Sequence, residues 1–409
     1  MNIKNWNLAL RTLTIFRHLQ DDQVFSSFMN VLETDRADTE AFIENYCAFV
    51  SNLYQKNTNW TEYLYQWILN DENVYVHQVA TQRKVSPMIQ ATVKHELMLL
   101  EKVSQLTSQE LLKTIDYSGF LPQWETSSIN FYPSYQKYLE DLPYRGYGMF
   151  SKYRAFCIQN GELVGVSHPD PQRLADLIGY EREREQVIKN TLGFLQGLDA
   201  NNVLLYGDAG TGKSSTVKAI VNEYYQKGLR LIEIKKDQLY VLPDIMDRLV
   251  DNPLHFILFI DDLSFKENDD DFIALKNILE GGIAHNQKNC VVYATSNRRH
   301  FVQENMRNRD GGEIFRNDSI QETMSLAARF GLTVTFSKPL KDLYLEIVMQ
   351  LADSYDIQMN RDALAIKAEA YAIRHSGRSP RTAKQFIEST KIEENTKNEG
   401  PSHDMTPVK

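Results

Sequence analysis

The residues whose types and spacing could do chemistry are concentrated in one short run, residues 207–214, which read GDAGTGKS. The run satisfies the pattern G-x-x-x-x-G-K-[ST] and lies between a predicted strand and a predicted helix, which is the context that this motif requires. Its glycines let the loop curl so that backbone N–H groups point at phosphate oxygens, beside the positive end of the following helix. The run therefore predicts a phosphate-binding site for a nucleotide.

The predicted nucleotide contacts of this run are Gly207, Asp208, Ala209, Gly210, Thr211, Gly212, Lys213, Ser214 and Ser215. Lys213 would reach the β- and γ-phosphates of ATP, and the Ser214 hydroxyl would be a ligand of Mg²⁺. The alternative is a glycine-rich turn that only ends a strand. Because the motif and its context agree, we favour the phosphate site.

A pair of carboxylates follows the apolar run at residues 256–260. Asp261 is the candidate Mg²⁺ ligand, and Asp262 could orient or deprotonate the attacking water. Strands often end in acidic turns, so the pair is a weak signal by itself. Its position downstream of the phosphate motif makes it a candidate for the metal and catalytic groups.

The elements that must position these residues are apolar runs that alternate with helical stretches. The predicted strands are residues 203–206, 231–234, 256–260, 290–295 and 332–336. Runs this apolar indicate strands buried on both faces, and hence a parallel sheet between layers of helices.

The remaining sequence divides into segments of different composition. We predict a helical N-terminal domain at 1–143, a β-hairpin and linker at 144–175, an α/β nucleotide-binding domain at 176–338, a helical lid at 339–390 and a disordered tail at 391–409. Helix-like apolar spacing identifies the first segment. The Asn160-Gly161 pair predicts the hairpin turn, and the polarity of the last segment predicts disorder.

The composition is that of an ordinary soluble globular protein, with 409 residues, 42% hydrophobic and 24% charged. A net charge of -9 argues against a protein whose whole surface binds nucleic acid. The three cysteines, which are widely spaced, fit reduced thiols. We find no membrane span and no signal-peptide pattern, so we expect a cytoplasmic protein.

From about residue 177 to residue 386 the sequence resembles the AAA+ class of ATPases. Ile178 and Gly179, in the segment LIGYE, are similar to the segment of that class that packs on adenine. Asn297, after the fourth strand of the class, resembles its sensor 1 residue, whose amide helps to hold the attacking water or the γ-phosphate. An asparagine at the end of a strand is otherwise only a turn former.

The resemblance also assigns catalytic roles to two arginines. Arg329, in the segment SLAARFG, resembles an arginine finger, which meets the γ-phosphate of a neighbouring subunit. Other candidates for this role are Arg298, Arg299, Arg307, Arg309 and Arg316. Arg381, in the segment SGRSPR, resembles sensor 2 and would fold back onto the phosphates, with Arg378 as the alternative.

The resemblance implies an α/β P-loop NTPase domain of three αβα layers with a small C-terminal helical lid, preceded by an all-α N-terminal domain. Residues 260–265, 279–282, 294–300 and 328–332 resemble, more narrowly, a bacterial AAA+ family of unknown function. The implied activity is the binding and hydrolysis of Mg²⁺-ATP at the subunit interfaces of a homo-oligomer. Hydrolysis would remodel or load an unidentified protein or nucleic-acid partner held by the N-terminal domain.

Two alternatives to this ATPase remain open. Many AAA+ ATPases have glutamate where this chain has Asp262, which is one methylene shorter, so hydrolysis could be slow. An ATP-gated scaffold or loader, which binds ATP with little hydrolysis, is therefore the first alternative. A small-molecule kinase is the second, and the sensor-like Asn297 and Arg381 argue against it.

Overall fold

The computed structural model describes the chain at 3–113, 115–263, 265–266, 275–276, 278–279, 288–297, 302–303, 328–375 and 377–398. By its internal contacts the chain forms two units, one of residues 1–153 with 251–254 and one of residues 154–250 with 255–409.

The first unit is helical in its described residues. Its α-helices α1 to α10 are Ile3–Arg11, Gln23–Glu33, Thr39–Tyr54, Trp60–Asn70, Val74–Ala80, Pro87–Ser104, Ser108–Leu112, Phe131–Glu140, Leu142–Arg145 and Met149–Lys152. Polar side chains cap several of them: Asp22 accepts from the backbone N–H of Phe25 at 2.9 Å, and Asn59 accepts from that of Glu62 at 3.1 Å. Such caps satisfy N–H groups that have no partner inside the helix.

Aromatic rings fill the core of this helical unit. The ring centre of Trp60 lies 4.8 Å from that of Phe28 and 5.1 Å from that of Phe49, which in turn lies 5.1 Å from Trp124. All four side chains are buried. The abundance of aromatic residues in this segment is therefore explained by packing.

The second unit is built on a seven-stranded sheet. Its strands are β1 Ala155–Gln159, β2 Glu162–Gly165, β3 Val203–Gly207, β4 Leu229–Ile234, β5 His255–Ile260, β7 Cys290–Ser296 and β9 Leu332–Phe336. Their order is β2-β1-β4-β5-β7-β3-β9, and only the β1–β2 pair is antiparallel. A second, two-stranded sheet pairs β6 Phe265–Lys266 with β8 Val302–Gln303.

Helices complete this unit. They are α11 Glu181–Leu195, α12 Lys213–Tyr224, α13 Leu242–Leu249, α14 Lys341–Ser354, α15 Arg361–Arg374 and α16 Pro380–Asn398. The last three enclose a core of their own, which includes Tyr344, Leu364 and Ile387. Short 3₁₀ helices occur at Arg17–Asp21, Leu174–Asp176, Tyr225–Lys227 and Lys236–Val241.

The predicted fold class is confirmed: a mostly parallel sheet with surrounding helices carries the phosphate motif, a helical lid follows, and a helical region precedes it. Two features differ from the expectations. The β1–β2 hairpin does not stand alone, because β1 pairs with β4 and extends the sheet. Helix α16 continues to Asn398, so residues 391–398 of the predicted disordered tail are helical. Among the described helices, none is long and apolar enough to cross a bilayer.

Candidate functional site

The loop between β3 and α12 has a backbone conformation that favours glycine. Gly207, Gly210 and Gly212 have φ angles of +136°, +77° and +94°. At Gly207 an added Cβ would lie 2.1 Å from the carbonyl oxygen of Phe336 on β9. The loop thus turns from a buried strand into the N-terminus of α12, where backbone N–H groups can bind an anion.

Lys213 is buried at the start of α12, with 6% of its surface exposed. Its Nζ donates to the carbonyl oxygens of Gly207 and Asp208 at 3.0 and 2.7 Å and to Oδ1 of Asn297 at 2.9 Å. Burial lowers the pKa of this ammonium, while the nearby carboxylates, that of Asp208 first, act in the opposite direction. An ammonium that is partly desolvated and bonded here to neutral oxygens would be stabilised by a phosphate anion.

The two candidate carboxylates lie beside Lys213. Ser214 Oγ donates to Oδ1 of Asp261 at 2.6 Å, so the two predicted Mg²⁺ ligands are neighbours. Asp262 has a left-handed backbone, with φ of +52°, and its Oδ1 accepts from Nδ2 of Asn297 at 2.7 Å. The amide of Asn297 therefore links the ammonium of Lys213 to the carboxylate of Asp262.

Two backbone N–H groups at the start of lid helices or just before them donate hydrogen bonds to the phosphate loop. At the start of α16, the N–H of Arg381 donates to the carbonyl oxygen of Gly210 at 3.2 Å. Just before α14, the N–H of Lys338 donates to Oδ2 of Asp208 at 2.8 Å. Each hydrogen bond joins the loop to the segment that leads into a lid helix.

The structure separates the two candidate sensor 2 arginines. Arg381 lines the cavity above the phosphate loop, and its charge contributes to the lowered pKa of Lys213. Arg378 instead forms a two-point ion pair with Glu369, with nitrogen–oxygen distances of 2.9 and 2.6 Å. Of these two arginines, only Arg381 is placed to contact a ligand in the cavity.

A cavity of about 470 Å³ lies between the phosphate loop and the lid. Predicted site residues in its lining are Ile178, Ala209, Gly210, Thr211, Gly212, Lys213, Ser214, Ser215, Asp261, Asp262, Asn297 and Arg381. The other predicted residues, Gly179, Gly207, Asp208 and Arg329, do not line it. The volume is in the range of small-molecule sites.

Apolar side chains form another part of the lining. They include Ile178, which precedes α11, and Ile347 and Leu351 of α14. At Gly179, where φ is +74°, an added Cβ would lie 3.1 Å from Cδ1 of Ile347. Gly179 therefore allows its segment to pack closely on the lid, which leaves Ile178 beside an apolar wall suited to a flat base.

Arg329 is not brought to the site of its own chain. Strands β3 and β9 run parallel, with Val203 paired to Leu332 and Gly207 to Phe336. Because Arg329 precedes β9, it lies at the end of the sheet opposite the phosphate loop. The other finger candidates, Arg298, Arg299, Arg307, Arg309 and Arg316, lie outside the described residues.

Sequence reasoning missed six polar residues of the cavity lining, Gln172, Asp176, Arg184, Thr216, Thr295 and Lys384. Thr295 precedes Asn297 by two residues, the spacing of one strand face, which could have signalled it. Lys384 follows Arg381 by one helical turn, which is a similar signal. Arg184 donates to the carbonyl oxygen of Gly179, and burial lowers the pKa of the Arg184 guanidinium. Its position in α11 gives no sign in the sequence that it lines the cavity.

A family model described as "Protein of unknown function (DUF815)" matches residues 151–394, which is more than half of the chain. The chain belongs to this family. The DUF815 match begins near β1 and ends within α16, so it includes the sheet, the phosphate loop and the lid. The expectation that the chain belongs to a family of unknown function is thereby confirmed.

Solved structures that are similar to this DUF815 chain include RuvB of Thermotoga maritima, described as a Holliday junction branch migration motor. It is 18% identical, with 56% of this chain and 67% of that chain covered and a TM-score of 0.38. Two substituted forms of that RuvB are each 17% identical at the same coverage, with TM-scores of 0.39 and 0.40. The comparison with curated proteins finds no match.

The donor atoms of the DUF815 site fit a hard cation. Ser214 presents a hydroxyl and Asp261 presents a carboxylate whose Oδ1 lies 2.6 Å from that hydroxyl, and Mg²⁺ is typically bound by one or two carboxylates together with substrate phosphates. Among the described residues, no group of three or more His, Cys, Asp or Glu could hold a metal by itself. Phosphates of a bound nucleotide would complete the coordination of a cation at this site, as is usual for Mg²⁺.

Proposed function

We propose that this protein is an AAA+ ATPase that binds and hydrolyses Mg²⁺-ATP in the cavity between the phosphate loop and the lid. The observation that carries the proposal is that Lys213, Asp261, Asp262, Asn297 and Arg381 all line this one cavity. They come from a loop, two strand ends and a lid helix that are far apart in sequence. A phosphate cradle, a cation ligand, a carboxylate for water and a second cationic side chain are the groups that phosphoryl transfer needs.

ATP binding would exchange internal hydrogen bonds for contacts to phosphate. The backbone N–H groups at the start of α12 would bind the phosphates, and Lys213 would replace its carbonyl partners with β- and γ-phosphate oxygens. The base would lie against Ile178, Ile347 and Leu351. Arg381, attached to the lid, would add positive charge at the γ-phosphate.

Ser214 and Asp261 would hold Mg²⁺, which supplies neutralisation of the charge that develops on the β- and γ-oxygens. Asp262 is the group proposed to orient the attacking water or to accept its proton. Its Oδ1 is bonded to Asn297, so the other carboxylate oxygen would serve this role. The carboxylate is one methylene shorter than that of glutamate, and slow turnover is therefore expected.

We propose that Arg329 acts on the site of a neighbouring subunit. Its position at the opposite end of the sheet supports this, because an arginine there can contribute to γ-phosphate chemistry only from another chain. A homo-oligomer with sites at subunit interfaces follows. The helical N-terminal unit would hold the unidentified protein or nucleic-acid partner on which the ATPase acts.

The test is steady-state hydrolysis of Mg²⁺-ATP by the full chain, compared with two variants. Lys213→Ala is expected to abolish turnover. Lys218→Ala is the matched control on the same helix: Lys218 lies 3.9 Å from Glu233 and does not line the cavity, so turnover should persist. Absence of wild-type turnover, or turnover that survives Lys213→Ala, contradicts the ATPase. Assembly that depends on ATP without turnover would support the ATP-gated scaffold instead.

A further inference from the structure

Thr295, near the end of β7, has a buried side chain at the same edge of the sheet as Asp261 and Asp262. Pairing of β5 with β7 ends at Ile260 and Ala294, whereas β7 itself continues to Ser296. Thr295 thus lies beside the point where the chain leaves β5 at Asp261. Its side chain is nearly inaccessible, since 2% of the residue is exposed. A buried hydroxyl at this position requires hydrogen-bond partners.

The direction of its hydrogen bonds follows from the atoms involved. A hydroxyl has one proton to donate and two lone pairs to accept. The backbone N–H of Asp262 can only donate, so Thr295 Oγ1 accepts from it at 2.9 Å. The hydroxyl proton is then directed to Oδ1 of Asp261, at 2.5 Å. One hydroxyl therefore contacts both acidic residues.

These bonds fix the carboxylate of Asp261. Its Oδ1 accepts from Thr295 Oγ1, from Ser214 Oγ at 2.6 Å and from the backbone N–H of Asp262 at 3.2 Å. Three donors on one oxygen orient the carboxylate. Within the described part of the chain no hydrogen bond is donated to Oδ2, which is therefore the oxygen left for a cation.

The same hydroxyl supports the backbone of Asp262. This residue has φ of +52°, a left-handed backbone conformation that is uncommon for residues other than glycine. The bond from its N–H to Thr295, together with the bond from the N–H of Leu263 to the carbonyl oxygen of Thr295 at 2.7 Å, holds the turn against β7. Thr295 thus contributes to the position of the carboxylate that faces Asn297.

We infer that Thr295 is a positioning residue for Mg²⁺-dependent nucleotide binding: its hydroxyl orients Asp261 as a cation ligand and fixes the turn that carries Asp262. The inference rests on the proposed function, since it concerns the same site. Loss of the hydroxyl should weaken the Mg²⁺-dependent part of ATP binding. Binding through the phosphate loop without Mg²⁺ should be unchanged.

The experiment compares Thr295→Val, which keeps the shape and removes the hydroxyl, with Thr295→Ser, which keeps the hydroxyl. Thr191→Val is the matched control, because Thr191 is also fully buried and bonded, to Val187 and Tyr293, but does not line the cavity. The affinity for a fluorescent ATP analogue is measured in EDTA and across a Mg²⁺ titration, and thermal unfolding checks that each variant folds.

Thr295→Val is expected to raise the Mg²⁺ concentration needed for half-maximal binding by about 10- to 100-fold, the usual effect of losing a group that orients a metal ligand. Its affinity in EDTA should match the wild type, and Thr295→Ser should restore the Mg²⁺ dependence. The inference is refuted if Thr295→Val retains the wild-type Mg²⁺ dependence, if serine fails to rescue, or if Thr191→Val has the same defect.

The two proposals fail in different ways. If the wild type binds no nucleotide in either buffer, the proposed function is wrong and the role of Thr295 with it. If the wild type binds Mg²⁺-ATP without turnover, only the proposed hydrolysis is lost, and the Mg²⁺ titration of binding still decides the role of Thr295.

Discussion

Replacement of Asn297 by alanine tests the proposed catalytic geometry most directly. The amide donates to the carboxylate of Asp262 at 2.7 Å and accepts from the ammonium of Lys213 at 2.9 Å. With ATP bound, Lys213 would turn to the phosphates, so the bond to Asp262 is the one whose loss should affect the chemical step. A hydrogen bond to a charged group contributes about 1.5–3 kcal/mol.

That contribution corresponds to about 10- to 100-fold in rate, since about 1.4 kcal/mol equals a factor of ten. Asn297 and Asp262 are both exposed, and solvent weakens interactions with exposed charges. We therefore expect the lower end of this range, a reduction in rate of about tenfold. The KM for ATP should not rise, because Asn297→Ala also removes a hydrogen bond that competes with phosphate for Lys213. The loss of hydrolysis rate in Asn297→Ala should therefore appear in kcat.

The assay is steady-state ATP hydrolysis at saturating Mg²⁺, with the ATP affinity measured separately. Asn190→Ala is the control, because Asn190 bonds to Asn201 and Tyr293 and does not line the cavity. A higher KM with unchanged kcat would mean that Asn297 serves ATP binding and that the reasoning about Asp262 is wrong.

Three further predictions follow from single contacts. Gly207→Ala places a methyl group against a backbone oxygen, so it should abolish nucleotide binding and lower the melting temperature by several degrees. Gly197 is the control, because it also has a positive φ, +75°, but has open space where a Cβ would lie. Gly197→Ala should therefore cost only about 1–2 kcal/mol of stability and keep nucleotide binding. Arg381→Ala should reduce ATP turnover, and Arg378→Ala should leave it unchanged, as a turnover assay would show. Arg329→Ala should lose turnover but keep its ATP affinity, and mixing it with a subunit that has Arg329 but an inactive phosphate loop should restore activity if the arginine acts between chains.

Much of the fold could be predicted because the strands are buried on both faces. An apolar run such as 256–260 has few other stable places in a folded chain, and the observed strand His255–Ile260 differs from it by one residue. The pairing of β1 with β4 could not be predicted, since it joins segments far apart in sequence and depends on which edge of the sheet is open. The polar composition of residues 391–409 predicts disorder, but residues 391–398 continue the last helix. This segment has no glycine or proline to end a helix.

The candidate site could be predicted from the sequence where a motif fixes the residue types. The phosphate loop needs its glycines and Lys213 for reasons of backbone geometry and charge, so their spacing identifies them. Thr295 has no such signature, because its role depends on how the turn after β5 folds back against β7. Arg329 shows a third case: its predicted role concerns a neighbouring subunit, and one chain shows only that the residue is far from its own phosphate loop.

The two hydrogen bonds that backbone N–H groups of the lid donate to the phosphate loop have a consequence for product release in the proposed ATPase. When the lid opens, the N–H of Arg381 and the carbonyl oxygen of Gly210 must both exchange their partner for water, as must the N–H of Lys338 and the carboxylate of Asp208. A nucleotide that moves the loop would affect both bonds at once, because the carbonyl oxygen of Gly210 and the carboxylate of Asp208 belong to the same loop. Release of ADP would require both hydrogen bonds to break or rearrange, so their strength would contribute to the rate of release.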